Sequence, residues 1–88
     1  MSKYRILENK WIAENPLKKW RSNKTLFLKD VGAALGVGYH TIFRWENGMS
    51  SPNKSQFVLL KKLTKNKNFE SEFQQWKDSR PLLGKGGE

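Results

Sequence analysis

Cysteine is absent from the 88 residues, and histidine occurs once, as His40. Without thiols the chain has no disulfide, no thiolate nucleophile and no cysteine-held zinc, a composition that suits a reducing cytosol. One imidazole builds neither a metal site nor a Ser/His/Asp set, and Glu14, Asp30 and Glu46 form no evident catalytic pair. We therefore expect no cofactor and no enzymatic activity. Apolar runs fall far short of the ~20 residues that cross a bilayer, and no basic-then-apolar leader opens the chain. The expectation is a soluble, cytoplasmic protein with no membrane partner. Acid is scarce: 8 acidic side chains face 17 basic ones, for a formal net charge of +9. A chain of this length buries one modest core and not two, so one packed domain is expected.

What is present centres on the stretch from Val37 to Gly48. Residues 39–47 read as a short helix with a glycine at each end. Gly38 is an acceptable N-cap, and Gly48 suits the left-handed position that ends many helices. Ile42 and Trp45, three apart, share the face that should be buried. Tyr39, His40, Thr41 and Arg44 fall mainly on the other faces. So short and polar a helix is unstable alone and needs a holder. Leu28 to Leu35 supplies one, with Leu28, Val31 and Leu35 on one helical stripe and Gly36 as a stop. Gly32 inside that helix costs about 1 kcal/mol relative to alanine; a tight crossing with the next helix would explain it, since a missing side chain lets two backbones approach. Helix, glycine turn and second helix make a helix-turn-helix over residues 28–48, an arrangement whose second helix enters the DNA major groove. The glycine-rich run 32–38 is not a phosphate loop, since it lacks the lysine and no strand precedes it.

Val31-Gly32, Leu35-Gly36-Val37, Thr41-Ile42, Arg44-Trp45-Glu46-Asn47-Gly48 and Pro52 together resemble the Cro/repressor-type helix-turn-helix family, over roughly residues 16 to 63. The resemblance implies an all-α, lambda-repressor-like bundle that binds double-stranded DNA. It also implies that the loop after the second motif helix touches the sugar-phosphate backbone. Three positions depart from the family pattern. Gly32 stands where alanine is usual, and Gly38 where a serine or threonine cap is usual. Phe27 stands where the first motif helix commonly has such a cap, with Thr25 as the alternative.

The positive charge brackets the motif. Residues 1–24 carry net +5, residues 25–48 zero, residues 49–68 five lysines without an acid, and the remainder −1. A helix seated in a groove has a phosphate strand on each side, and cationic flanks suit both. The competing view is that lysine-rich surfaces only keep a small protein in solution. Residues 1–14 form a separate N-terminal segment. Either Tyr4, Leu7 and Trp11 share a helical face, or Tyr4 to Leu7 is extended, with Lys3 and Arg5 in a basic arm along DNA. The alternative to an arm is a flap packed on the core.

The domain proper spans residues 15–80. Asn15-Pro16 starts a helix, cap then first-position proline, running to about Asn23 with Leu17 and Trp20 inward and Lys18, Lys19 and Arg21 outward. After the motif, a helix from about Asn53 to Leu63 places Phe57, Leu60 and Leu63 in one stripe. A last helix, Phe69 to about Lys77, is capped by Asn68 and repeats Phe69, Phe73 and Trp76 on one face. The sum is a compact all-α bundle of about five helices, with residues 81–88 as a disordered tail. The tryptophans are read as core and not as stacking platforms for unpaired bases.

Arg44 is the sharpest base-reading candidate, because its fork gives guanine O6 and N7 two hydrogen bonds, about 1–3 kcal/mol of discrimination. Its competing role is a surface arginine paired with Glu46 or with a phosphate. Tyr39 could pack on a thymine methyl or bond a phosphate, and His40 could donate to guanine or to phosphate. The plainer alternatives are a ring covering the turn and a solvated side chain. Thr41 bonds a base, a phosphate oxygen or its own helix backbone. Asn47, Ser50, Ser51, Asn53 and Lys54 surround the exit of this helix and the start of the next, a setting that suits phosphate; Lys29 on the supporting helix is a further candidate. Glu46 should turn inward to an arginine, a lysine or backbone donors.

The expectation is a sequence-specific, double-stranded-DNA-binding regulator of transcription, of bacterial, phage or mobile-element type. It would pair as a homodimer on DNA, with the last helix and the N-terminal segment as the only spare apolar surface. The rivals are a protein-interaction module, antitoxin- or anti-repressor-like, and a low-specificity architectural or recombination accessory.

Overall fold

A computed structural model describes residues 3–81, with side chains from residue 5 onward. The described residues form six helices and no strand: α1 (Lys3–Ala13), α2 (Pro16–Asn23), α3 (Leu28–Leu35), α4 (Tyr39–Glu46), α5 (Lys54–Thr64) and α6 (Phe69–Asp78). The helix beyond the expected five is α1, so residues 3–13 are not an extended arm. The tail expected at 81–88 lies outside the described residues, Pro81 excepted.

Local chemistry sets the helix ends. Asn15 Oδ1 accepts the Lys18 N–H at 2.9 Å, and Pro16 takes a first-turn position where no N–H is required. Phe27, not Thr25, occupies the cap position of α3. A phenyl ring accepts no hydrogen bond there, so the start rests on Asp30, whose carboxylate accepts the Phe27 N–H at 2.8 Å. Gly36 at φ +74° and Gly48 at φ +73° end α3 and α4 in the left-handed region that favours glycine. α5 opens on a full capping box: Asn53 Oδ1 accepts from Gln56 N–H, and Gln56 Oε1 accepts from Asn53 N–H, each at 2.8 Å. The side chain of Asn68 does not cap α6. Asn66 orders that turn instead, accepting the Asn68 N–H at 3.0 Å and donating to the Glu72 carboxylate at 2.9 Å.

The core draws on all six helices, through Trp11, Leu17, Val31, Leu35, Ile42, Trp45, Phe57, Leu60, Phe69, Phe73 and Trp76. Trp20 is half-buried against it. Two consequences bear on the sequence expectations. The apolar side chains of α6 are all committed to the core, so the last helix offers no spare apolar face. Outside α4, the exposed large apolar side chains on helices are Ile6 and Leu7 of α1 and Val58 and Leu59 of α5.

Gly32 is where α3 meets the turn into α4. A Cβ there would lie 2.6 Å from the Val37 carbonyl oxygen, and the Val37 N–H already donates to Gly32 O at 2.9 Å. The turn backbone, more than the crossing of two helices, demands the glycine. Gly32→Ala gains about 1 kcal/mol of helix propensity. It also pushes a turn oxygen that has no flexible end to yield, and overpacking of this kind costs about 1–3 kcal/mol. The expected net is a loss of about 1–2 kcal/mol, read as a lower urea midpoint; an unchanged or higher midpoint would contradict the close approach.

Candidate nucleic-acid interface

Two supports present α4. The apolar one is Ile42 and Trp45, both buried against the core. The polar one is Glu46, 3% exposed, whose carboxylate accepts from Arg21 Nε at 2.7 Å and from Nη2 at 2.9 Å. The third arm of the fork, Nη1, donates to Leu26 O at 2.9 Å. Arg21 therefore does not point outward as its place on α2 suggested. A carboxylate in the last residue of a helix meets the negative end of the dipole, and burial without a cation is costly. An arginine fork can serve both oxygens at once. The hydrogen bonds that Arg21 donates to Glu46 raise its pKa above its already high ordinary value, against the lowering effect of burial. Asn15 adds a third tie, donating from Nδ2 to Trp45 O at 3.1 Å beside a longer 3.3 Å bond from the Gly48 N–H.

With those groups turned in, the outer arc of α4 follows from a rotation of about 100° per residue: Tyr39, Phe43, Asn47, His40, Arg44. Tyr39, His40, Phe43 and Arg44 are exposed, and Thr41 is half-buried at the edge of the arc next to Trp45. The Tyr39 and His40 rings stack with centroids 4.0 Å apart at 30°. The Arg44 side chain has no hydrogen bond or ion pair among the described residues. Glu46 belongs to Arg21, so the Arg44–Glu46 pairing left open by the sequence is removed. Phe43 was missed as a site residue, although the helical rotation alone places it inside the arc.

The flanks are built as follows. Lys29 is exposed at the start of α3, with Nζ 6.0 Å from the Phe27 ring centroid. It shares with Arg21, Phe27, Leu28 and Tyr39 a shallow groove that joins α3 to the first residue of α4. At the other end, Asn47 is the C-cap and donates from Nδ2 to Phe43 O at 2.8 Å, leaving Oδ1 open. Ser50 is half-buried, and Ser51, Asn53 and Lys54 are exposed. Asn53 Oδ1 is occupied, accepting from Gln56 N–H and from Ser55 Oγ. Ser51 Oγ accepts from Lys77 Nζ at 2.7 Å. Nothing in the sequence pointed to Lys77, because it sits in the acid-leaning last segment and only the fold brings it to this loop. Burial, and then the nearby Arg80, lower its pKa from the ordinary lysine value. The cationic shoulder after α4 thus includes a side chain from α6.

Among the described residues no group of His, Asp or Glu is placed to hold a metal, and no helix is long and apolar enough to cross a membrane. Comparison with protein-family models, curated proteins and solved structures returned no match.

Proposed function

We propose that the chain binds double-stranded DNA and reads its sequence in the major groove with α4, as a small regulator of transcription. In this reading α3, the Gly36–Gly38 turn and α4 form a helix-turn-helix of the Cro/repressor type within a lambda-repressor-like bundle. One observation carries it. The only acid of α4 is tied inward to Arg21, while Arg44, His40 and two aromatic rings face outward without an acidic neighbour on that helix. Such an arc offers donors and apolar contact, which suits base edges. Arg44 takes a guanine; Lys29 on one side, and Lys54, Ser51 and Lys77 on the other, take phosphates. A second copy would occupy a half-site about one helical turn, ~34 Å, away.

A second reading, a protein-interaction module, draws on the exposed apolar side chains Tyr39, Phe43 and Met49. Salt-titrated binding to duplexes selected from a random pool, and to random duplexes, separates the two. A regulator shows a clear gap between them; an interaction module binds neither. Arg44→Ala should cost about 1–3 kcal/mol on the selected site and relax preference at one base position. Lys54→Ala and Lys77→Ala should weaken every duplex alike, each lowering the salt slope by about 1. Equal loss on all sequences for Arg44→Ala would remove its reading role.

A further inference from the structure

We propose that Phe43 is a specificity-determining residue that packs on the C5-methyl of a thymine adjacent to the guanine taken by Arg44. This rests on the reading of α4 as the groove helix. Phe43 is 47% exposed and Tyr39 51%, and neither belongs to the core. Phe43 has no ring partner among the described residues, whereas Tyr39 stacks on His40. An exposed phenyl ring within the outer arc is unfavourable in water, and it has no polar atom with which to meet a base. The one apolar group that an ordinary base pair shows in the major groove is the thymine methyl.

The neighbours argue for DNA as the occupant over an apolar protein face. Phe43 is followed directly by Arg44, whose donors have no partner, and the chain as a whole carries a net +9. Ring and fork lie on one exposed arc about 100° apart, so they would meet neighbouring base pairs: a thymine methyl for the ring, and the O6 and N7 acceptors of guanine for the fork. Aliphatic protein surface would cover the ring and strand the guanidinium.

The test uses the full chain and its selected duplex. Each thymine is replaced in turn by deoxyuridine, which removes one methyl and keeps every hydrogen-bonding group. We expect one replacement, beside the guanine that Arg44→Ala ceases to prefer, to weaken binding about three- to fivefold, the scale of one buried methyl-sized group. Phe43→Ala should lose affinity for the thymine duplex and become indifferent to that replacement; Phe43→Leu should keep part of the difference. Phe43 lies outside the core, so both variants should fold, as helical circular dichroism would verify. Specific binding that ignores every deoxyuridine, or a Phe43→Ala variant that remains as sensitive as the parent, overturns the assignment alone. Absence of preference for any duplex overturns the proposed function and the assignment with it. Unchanged DNA affinity in Phe43→Ala assigns the ring to another partner and also overturns it.

Discussion

Arg21→Ala lowers the stability of the chain by about 3–5 kcal/mol, a large part of the ~5–15 kcal/mol that holds a typical domain. The reason is asymmetry within the pair. Glu46 is 3% exposed and both its oxygens are served by Arg21, so the truncation strands a buried carboxylate at the negative end of α4. Glu46→Ala is milder, because the Arg21 side chain is 17% exposed, keeps its bond to Leu26 O, and can extend its stem to water. Replacing both, as Arg21→Met with Glu46→Leu, should return most of the loss, since apolar packing often matches a buried ion pair.

The pH dependence has a definite sign. The raised Arg21 pKa gives a contribution that is full below the ordinary arginine value and is lost only at still higher pH. Nothing on the arginine side titrates near neutrality. Urea unfolding of the two single variants and the double variant at pH 7, followed by tryptophan fluorescence, checks the asymmetry. Equal losses for the two single variants, with no recovery in the double variant, would mean the pair is no more than a surface contact.

The parts of this molecule that could be read from the sequence are those governed by neighbours in the chain. Gly38 and Gly48 bound α4 because a cap and a left-handed stop are local requirements, and Asn15-Pro16 opens α2 for the same reason. The inward turn of Glu46 followed from the repulsion a phosphate would exert; the identity of its partner did not, since Arg21 lies 25 residues away on a helix whose wheel turns it toward Lys18. Asn68 holds the N-cap position of α6 as its place in the chain implies, but its side chain makes no cap bond; Asn66, after the bend at Lys65 with φ +56°, orders that turn instead. Lys77 joined the candidate interface only through tertiary contact. Phe43 is different: the rotation of the helix alone places it in the exposed arc, although its side chain is apolar. The N-terminal segment was undecidable by periodicity, as helix and strand templates both matched. Contacts 65 residues away decide it.

Those contacts predict the second large effect. Trp11 and Trp76 stack at 4.0 Å with planes 4° apart, and each indole N–H donates to the backbone carbonyl of the other residue at 2.6 Å. Trp11→Ala should cost about 3–5 kcal/mol through the cavity it leaves. Trp11→Phe keeps a stacked ring and removes one donor. The Trp76 carbonyl retains Ser79 Oγ at 2.7 Å, so no buried acceptor is orphaned and the loss should stay near 1 kcal/mol. Gly48 gives the independent check that α1 braces the end of α4. A Cβ at Gly48 would lie 2.8 Å from Trp11 Cζ3, and the residue sits at φ +73°. Gly48→Ala therefore carries a backbone penalty of about 1–2 kcal/mol plus a ring clash. In the Trp11→Ala background the clash disappears and only the backbone penalty remains. The double variant should thus be more stable than the summed single losses by ~1 kcal/mol or more, within the range of coupled neighbours. Strict additivity would mean that Gly48 and the Trp11 ring do not touch, and that α1 is held without bracing the helix proposed to read DNA.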